Sequence, residues 1–147
     1  MKIGIDFGGV IVKSAVGNTS IDLRSGLNLM IPGAFEGIAE LVTMSSGNIW
    51  IVSKASHATQ VATRDWLHQT QFYKITNFTP GNIYFCEKRH EKKEICQLLG
   101  LTHFIDDSPD VIDHITGIVP NIYQFGSAGI HSWHDLLELL RSSIRGL

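Results

Sequence analysis

The sequence predicts an α/β fold: a three-layer sandwich whose central parallel sheet is covered by helices on both faces. Two observations lead there. Short β-rich apolar runs alternate with stretches of helical apolar periodicity along the whole chain of 147 residues. Three of those runs also end on polar residues, Asp6, Ser53 and the pair Asp106-Asp107. Parallel sheets bind their ligands beyond the carboxyl ends of their strands, so these are the positions to inspect.

The elements follow in order. Lys2 to Val12 reads as a buried strand interrupted by Gly8 and Gly9. Residues 14–32 are mixed and polar, with Gly17, Asn18 and Gly26 as breakers, and suit a hairpin or small flap better than a helix. "AFEGIAELVTM" after Pro32-Gly33 carries Phe35, Ile38, Ala39, Leu41 and Val42 at helical spacing, and Gly47-Asn48 stops it. "IWIVS" (Ile49 to Ser53) is a second strand, and His57 to Gln69 a second helix. "NIYFC" is the third strand and "HEKKEICQLLG" a helix with a glycine stop. "THFIDDSP" is a fourth strand ending in paired carboxylates. "DVIDHI", "IVPNIYQF" and "SWHDLLELL" supply a helix, a fifth strand and a last helix capped by Ser132. No linker or repeat divides residues 1–147, which read as one domain.

Composition narrows the class. Hydrophobic residues at 44% and charged residues at 18% allow a sizeable core without disordered tracts. A net charge of -2 disfavours nucleic acid as a charge-driven partner. The tract Lys88, Arg89, Lys92, Lys93 is broken by Glu91 and Glu94 and reads first as a solvated helix start. Cys86 and Cys96, with no signal peptide ahead of them, fit a reducing cytoplasm better than a disulfide scaffold. No apolar run reaches membrane-spanning length. The seven histidines, His57, His68, His90, His103, His114, His131 and His134, lack metal-ligand spacing and suit surface or boundary positions. Trp50, Trp66 and Trp133 fall on apolar faces and read as core.

Asp6, Ser53, a lysine near position 92 and Asp106-Asp107 stand in the order used by the haloacid dehalogenase-like superfamily of phosphohydrolases, which the chain resembles. The resemblance runs from "IGIDFGGVIV" through "IWIVSKAS" and "HEKKEICQLLG" to "HFIDDSPDVI". It implies a Rossmann-like sheet with the first strand central, and a magnesium-dependent phosphohydrolase working through an aspartyl-phosphate. By that resemblance Asp6 is the nucleophile, and Ser53 donates a hydrogen bond to a phosphoryl oxygen. Lys92, with Lys88 as the alternative, neutralises the developing charge. Asp6, the Gly8 carbonyl and Asp107 hold Mg2+, with Asp106 as neighbour or second ligand.

One departure stands out. The family's phosphatases usually carry a second Asp two residues after the nucleophile, which protonates the leaving group. Here that position is Gly8, which offers no proton, so alkyl phosphate esters become difficult substrates. Aryl or acyl phosphates, whose leaving groups depart unprotonated, suit it better. The 46 residues between Asp6 and Ser53 leave no room for a large cap. An open site suits a bulky phosphorylated substrate or a partner that covers it. A catalytically degenerate module that binds phosphate, metal or protein is the alternative, and a phosphonatase or dehalogenase-type reaction a third.

Blander readings stand beside these. Asp6 and Ser53 could serve as turn residues, Lys92 as a solvated charge paired along its helix, and Asp106-Asp107-Ser108-Pro109 as a plain helix start. His57, four residues beyond Ser53, is the one histidine placed to substitute for the missing acid. "GIDFGGVIVK" also resembles the phosphate-binding hairpin of sugar kinases and other actin-like ATPases. Those enzymes need two large lobes, which 147 residues do not supply. The match reflects the same need for glycines where phosphate nears the backbone.

Overall fold

The computed structural model describes residues 1–13, 26, 29–127 and 129–145. Five strands, β1 (Ile3–Ile5), β2 (Ile49–Lys54), β3 (Ile83–Cys86), β4 (His103–Asp106) and β5 (Asn121–Gln124), form one parallel sheet in the order β3-β2-β1-β4-β5. The chain builds outward from β1 to β3, then returns to the other side of β1 for β4 and β5. The direction therefore switches between β1 and β4, which puts a crevice at their carboxyl ends.

Side-chain alternation along these strands decides the layers. Ile3, Ile5, Ile49, Ile51, Ile83 and Ile105 join one core with α1 (Ala34–Met44), α2 (His57–Gln69), α3 (Phe72–Thr76) and α6 (Trp133–Arg145). Val52 and Phe104 lie in a second core with Cys96, Val111 and Ile115, contributed by α4 (Glu91–Leu99) and α5 (Pro109–Ile115). The result is the α/β three-layer sandwich. Gly4 pairs with Phe104 across the sheet, and a Cβ on it would come within 2.6 Å of the Phe104 ring. A side chain there is excluded because Phe104 covers the position.

The helices obey local signals. Ser56 caps α2 by accepting from the Thr59 N–H, and Ser132 Oγ accepts from the Asp135 N–H at the start of α6. Gly100 ends α4 in the left-handed conformation. The short α3 carries no sequence signal that distinguishes it from the turn after α2. It forms because Phe72 packs against Phe35 and Phe78.

One predicted strand is shorter than its apolar pattern suggests. After Ile5 the chain leaves the sheet, and the Phe7 carbonyl accepts from the backbone N–H groups of Val10, Ile11 and Val12. This tight turn buries Val10, Ile11 and Val12 without strand pairing in the main sheet. The turn is anchored from the far end of the chain, where Trp133 Nε1 donates to the Val10 carbonyl at 2.9 Å. Beyond it, Val12 bridges Met30 antiparallel. The flap expected over 14–32 otherwise lies largely outside the described residues.

Trp66 and Trp133 are core as expected, whereas Trp50 is only partly buried against the second core. Six of the histidines are exposed; His103 instead is buried on β4, stacked against Tyr123 and bonded to Thr102. Cys86 and Cys96 are buried free thiols. Among the described residues, no helix is long and apolar enough to cross a membrane.

Candidate active site

Asp6 leaves β1 at the switch point, its N–H donating to the Ile105 carbonyl of β4. By strand parity it faces the same side as Gly4, toward α4 and α5. Asp106 ends β4 on that side as well. Lys92, in the first turn of α4, comes in from the helical layer above and closes the arrangement. Its Nζ lies 3.0 Å from Asp6 Oδ1 and 2.9 Å from Asp106 Oδ2, and all three side chains are buried. Lys88, the alternative lysine, is exposed on the loop before α4.

Backbone N–H groups hold both carboxylates as well. Asp6 Oδ1 also accepts from the Phe7 N–H, and Asp106 Oδ1 accepts from the Ser108 N–H. Asp106 is fully buried with both oxygens engaged, whereas Asp107 is only half-buried. Asp107 shares a hydrogen bond with Asp6. Two carboxyls that close hold either a shared proton or a cation between them.

Charges follow from this packing. Burial pushes Asp6 above the usual carboxylate range, against the pull of Lys92. Burial, aided by the charge on Asp6, lifts Asp106 to about 6. Asp107 is raised too, again chiefly by burial. Burial alone would lower Lys92, but the carboxylates of Asp6 and Asp106 outweigh it and hold the ammonium up to about 12.

Asp6, Asp106 and Asp107 each offer an oxygen within 4.8 Å of the others'. Among the described residues three carboxylates face one ammonium, which leaves the cluster short of positive charge, and an all-oxygen donor set suits a hard divalent cation. The residues present fit magnesium, with Asp107 the freest donor.

The glycines after Asp6 differ in kind. Gly9 adopts φ +81°, and a Cβ on it would run into the Asp107 carboxylate. Gly8 has no left-handed backbone, and a Cβ on it would meet nothing within 4 Å. Gly9 is dictated by the packing of the site; Gly8 is not. The sequence pattern pointed to close approach at the glycine pair but not to Asp107 as what approaches.

Ser53 is buried near the end of β2, beside β1 in the sheet. Its strand parity is that of Ile51, opposite to the face from which Lys92 arrives. His57 is exposed at the first position of α2. Sequence reasoning placed Trp133 in the core and Ser108 at a helix start, and connected neither with Asp6. Trp133 donates its Nε1 to a backbone carbonyl 123 positions away, which leaves no local pattern, whereas Ser108 donates its backbone N–H to Asp106 two residues before it.

No protein-family profile matches the chain. A protein of Oceanobacillus iheyensis named as a candidate nucleotidase is 30% identical over 117 residues, covering 73% of this chain and 59% of that relative. The chain thus spans less than two thirds of the curated relative it matches. Among solved structures, DsGPDH of Dunaliella salina is similar with a TM-score of 0.60 at 12% identity, over 86% of this chain and 24% of that one. That likeness concerns the fold, a parallel sheet sandwiched between helices, which this chain has.

Proposed function

We propose that the chain is a magnesium-dependent phosphohydrolase of the haloacid dehalogenase-like type, with Asp6 as nucleophile. The observation that carries the reading is the bridge from Lys92 to both Asp6 and Asp106 at the switch point of the sheet. A carboxylate held there, beside a fixed ammonium, can attack phosphorus in line and form an aspartyl-phosphate that water then cleaves. Lys92 holds Asp6 in place and offsets negative charge on the transferring group. Ser53 is assigned a hydrogen bond to a phosphoryl oxygen. Asp6, the Gly8 carbonyl and Asp107 would hold magnesium, with Asp106 holding Lys92. The ion, when bound, offsets repulsion between nucleophile and phosphoryl oxygens. The nucleotidase name of the Oceanobacillus relative is consistent with a phosphohydrolase role.

A second reading rests on Gly8. Without an acid two residues after Asp6, the pocket could bind phosphate and metal without turnover. Hydrolysis of an activated aryl phosphate in magnesium, by wild type and Asp6→Asn, separates the two. The expected result is turnover that falls at least about 10³-fold in Asp6→Asn. Activity that survives the substitution removes Asp6 as nucleophile. Magnesium binding by calorimetry without any turnover supports the binding module.

A further inference from the structure

A second feature shares the carboxyl edge of the sheet with the Asp6 site. A cavity of about 510 Å³ is lined by Lys54, Lys88 and Arg89 together with Glu87, Asp110 and two histidines. Its volume is that of a small-molecule site. Three cations face two carboxylates, so the cleft carries net positive charge before its histidines are counted. Lys54 follows Ser53 on β2, and its strand parity is that of Val52, toward α4 and α5. Lys88 and Arg89 sit on the loop that leads into α4, four and three residues before Lys92. The Lys88 N–H donates to Glu91 Oε1 at 2.8 Å, which ties that loop to the first turn of the helix. The cleft thus opens on the side from which Lys92 enters the site.

Gly8 gives this position a meaning. A leaving group that cannot be protonated must depart as an anion, and a departing anion needs positive charge beside it. We propose that Lys54, Lys88 and Arg89 receive the leaving phosphate of a phosphoanhydride, so that the substrate is a diphosphate compound rather than a phosphate monoester. This rests on the reading of Asp6 as nucleophile. An Asp6 oxygen bonds to the terminal phosphorus while the bond from that phosphorus to the bridging oxygen breaks. The electron pair stays on the bridging oxygen, which leaves as a phosphate anion without a proton. Water then attacks the aspartyl-phosphate at phosphorus, restoring the Asp6 carboxylate, and its proton leaves with the inorganic phosphate or to solvent. Three cations suit a multiply charged phosphate better than a singly charged carboxylate.

Two measurements test the proposal. In magnesium-saturated buffer, calorimetry compares methylenediphosphonate with methylphosphonate. The diphosphonate should bind wild type at least about 10-fold more tightly, and Lys88→Gln/Arg89→Gln should abolish that advantage. Equal binding by wild type, or an advantage that survives the double substitution, overturns the cleft's role. In kinetics, kcat/KM for a nucleoside 5′-diphosphate should exceed that for the matching 5′-monophosphate by about 100-fold. A monophosphate used as well or better overturns it. Turnover of neither compound, with the diphosphonate preference intact, rejects the hydrolase reading and still supports the cleft as a diphosphate subsite.

Discussion

The α-carbon of Gly9 faces the carboxylate of Asp107 with no room for a methyl group between them, and its backbone stands at φ +81°. The turn after β1 and the loop after β4 therefore fit as one surface. Gly9→Ala should lower stability by at least about 1–2 kcal/mol through backbone strain alone. It should also displace Asp107 and weaken magnesium binding. Urea melts and calorimetric magnesium titration check both, and a variant that binds magnesium as wild type does would show that Asp107 is not the ion's ligand.

The Lys92 ammonium lies between two buried carboxylates. Lys92→Met keeps most of the side-chain volume but leaves Asp6 and Asp106 unpaired, at a cost of about 3–5 kcal/mol near neutral pH. Protonating the carboxylates relieves the same repulsion, so the loss should shrink below pH 6. Melts of wild type and variant at pH 5 and pH 7.5 read the difference directly.

Acid should favour the metal-free site. Asp106 titrates at about 6 in the folded chain against a usual 3.8, and Asp6 is raised in the same direction. Between those values the folded state holds more protons than the unfolded state. Stability contributed by these groups is thus present at the acid end and falls as pH rises through about 6. Lys92 behaves differently: its contribution is full below 10.5 and is lost as pH rises through about 12. The metal-free protein should show a site-dependent loss of urea midpoint between pH 5 and pH 7.5. Asp106→Asn should flatten that slope, and magnesium should stabilise wild type more at pH 7.5 than at pH 5. A slope unchanged by Asp106→Asn would remove Asp106 as its source.

Gly8 is free to change. Its Cβ position is open and its backbone is not left-handed, so Gly8→Asp should alter stability by no more than about 0.5 kcal/mol. If the absent acid limits the substrate range, the variant should gain about 10²–10⁴-fold in kcat on alkyl phosphate esters. Steady-state kinetics on one alkyl and one aryl phosphate decide it. No gain on the alkyl ester would show that something other than proton donation sets the preference.

Much of this was legible in the residues themselves. Helices with caps and stops, such as Ala34–Met44 and His57–Gln69, have the bounds their periodicity predicts. The end of β4 was equally readable, because an apolar run that meets the paired carboxylates Asp106-Asp107 has few ways to continue, whereas the first strand was read past Asp6 to Val12. Val10 to Val12 misled because burial in a turn demands the same apolar residues as burial in a strand. The partnership of Lys92 with Asp6 spans 86 positions and could be inferred only through the resemblance. Locally, its place three and four residues before Ile95 and Cys96 sets it on the buried face of α4, unlike its exposed neighbour Lys93, but does not name its partner.

The bond from Trp133 to the Val10 carbonyl joins residues 123 positions apart. The turn that follows Asp6 is therefore fastened by the first residue of α6, an element outside the strands that carry Asp6 and Asp106. Loosening α6 would be felt at the turn beside Asp6, so a change remote in sequence from the carboxylates reaches them through a hydrogen bond.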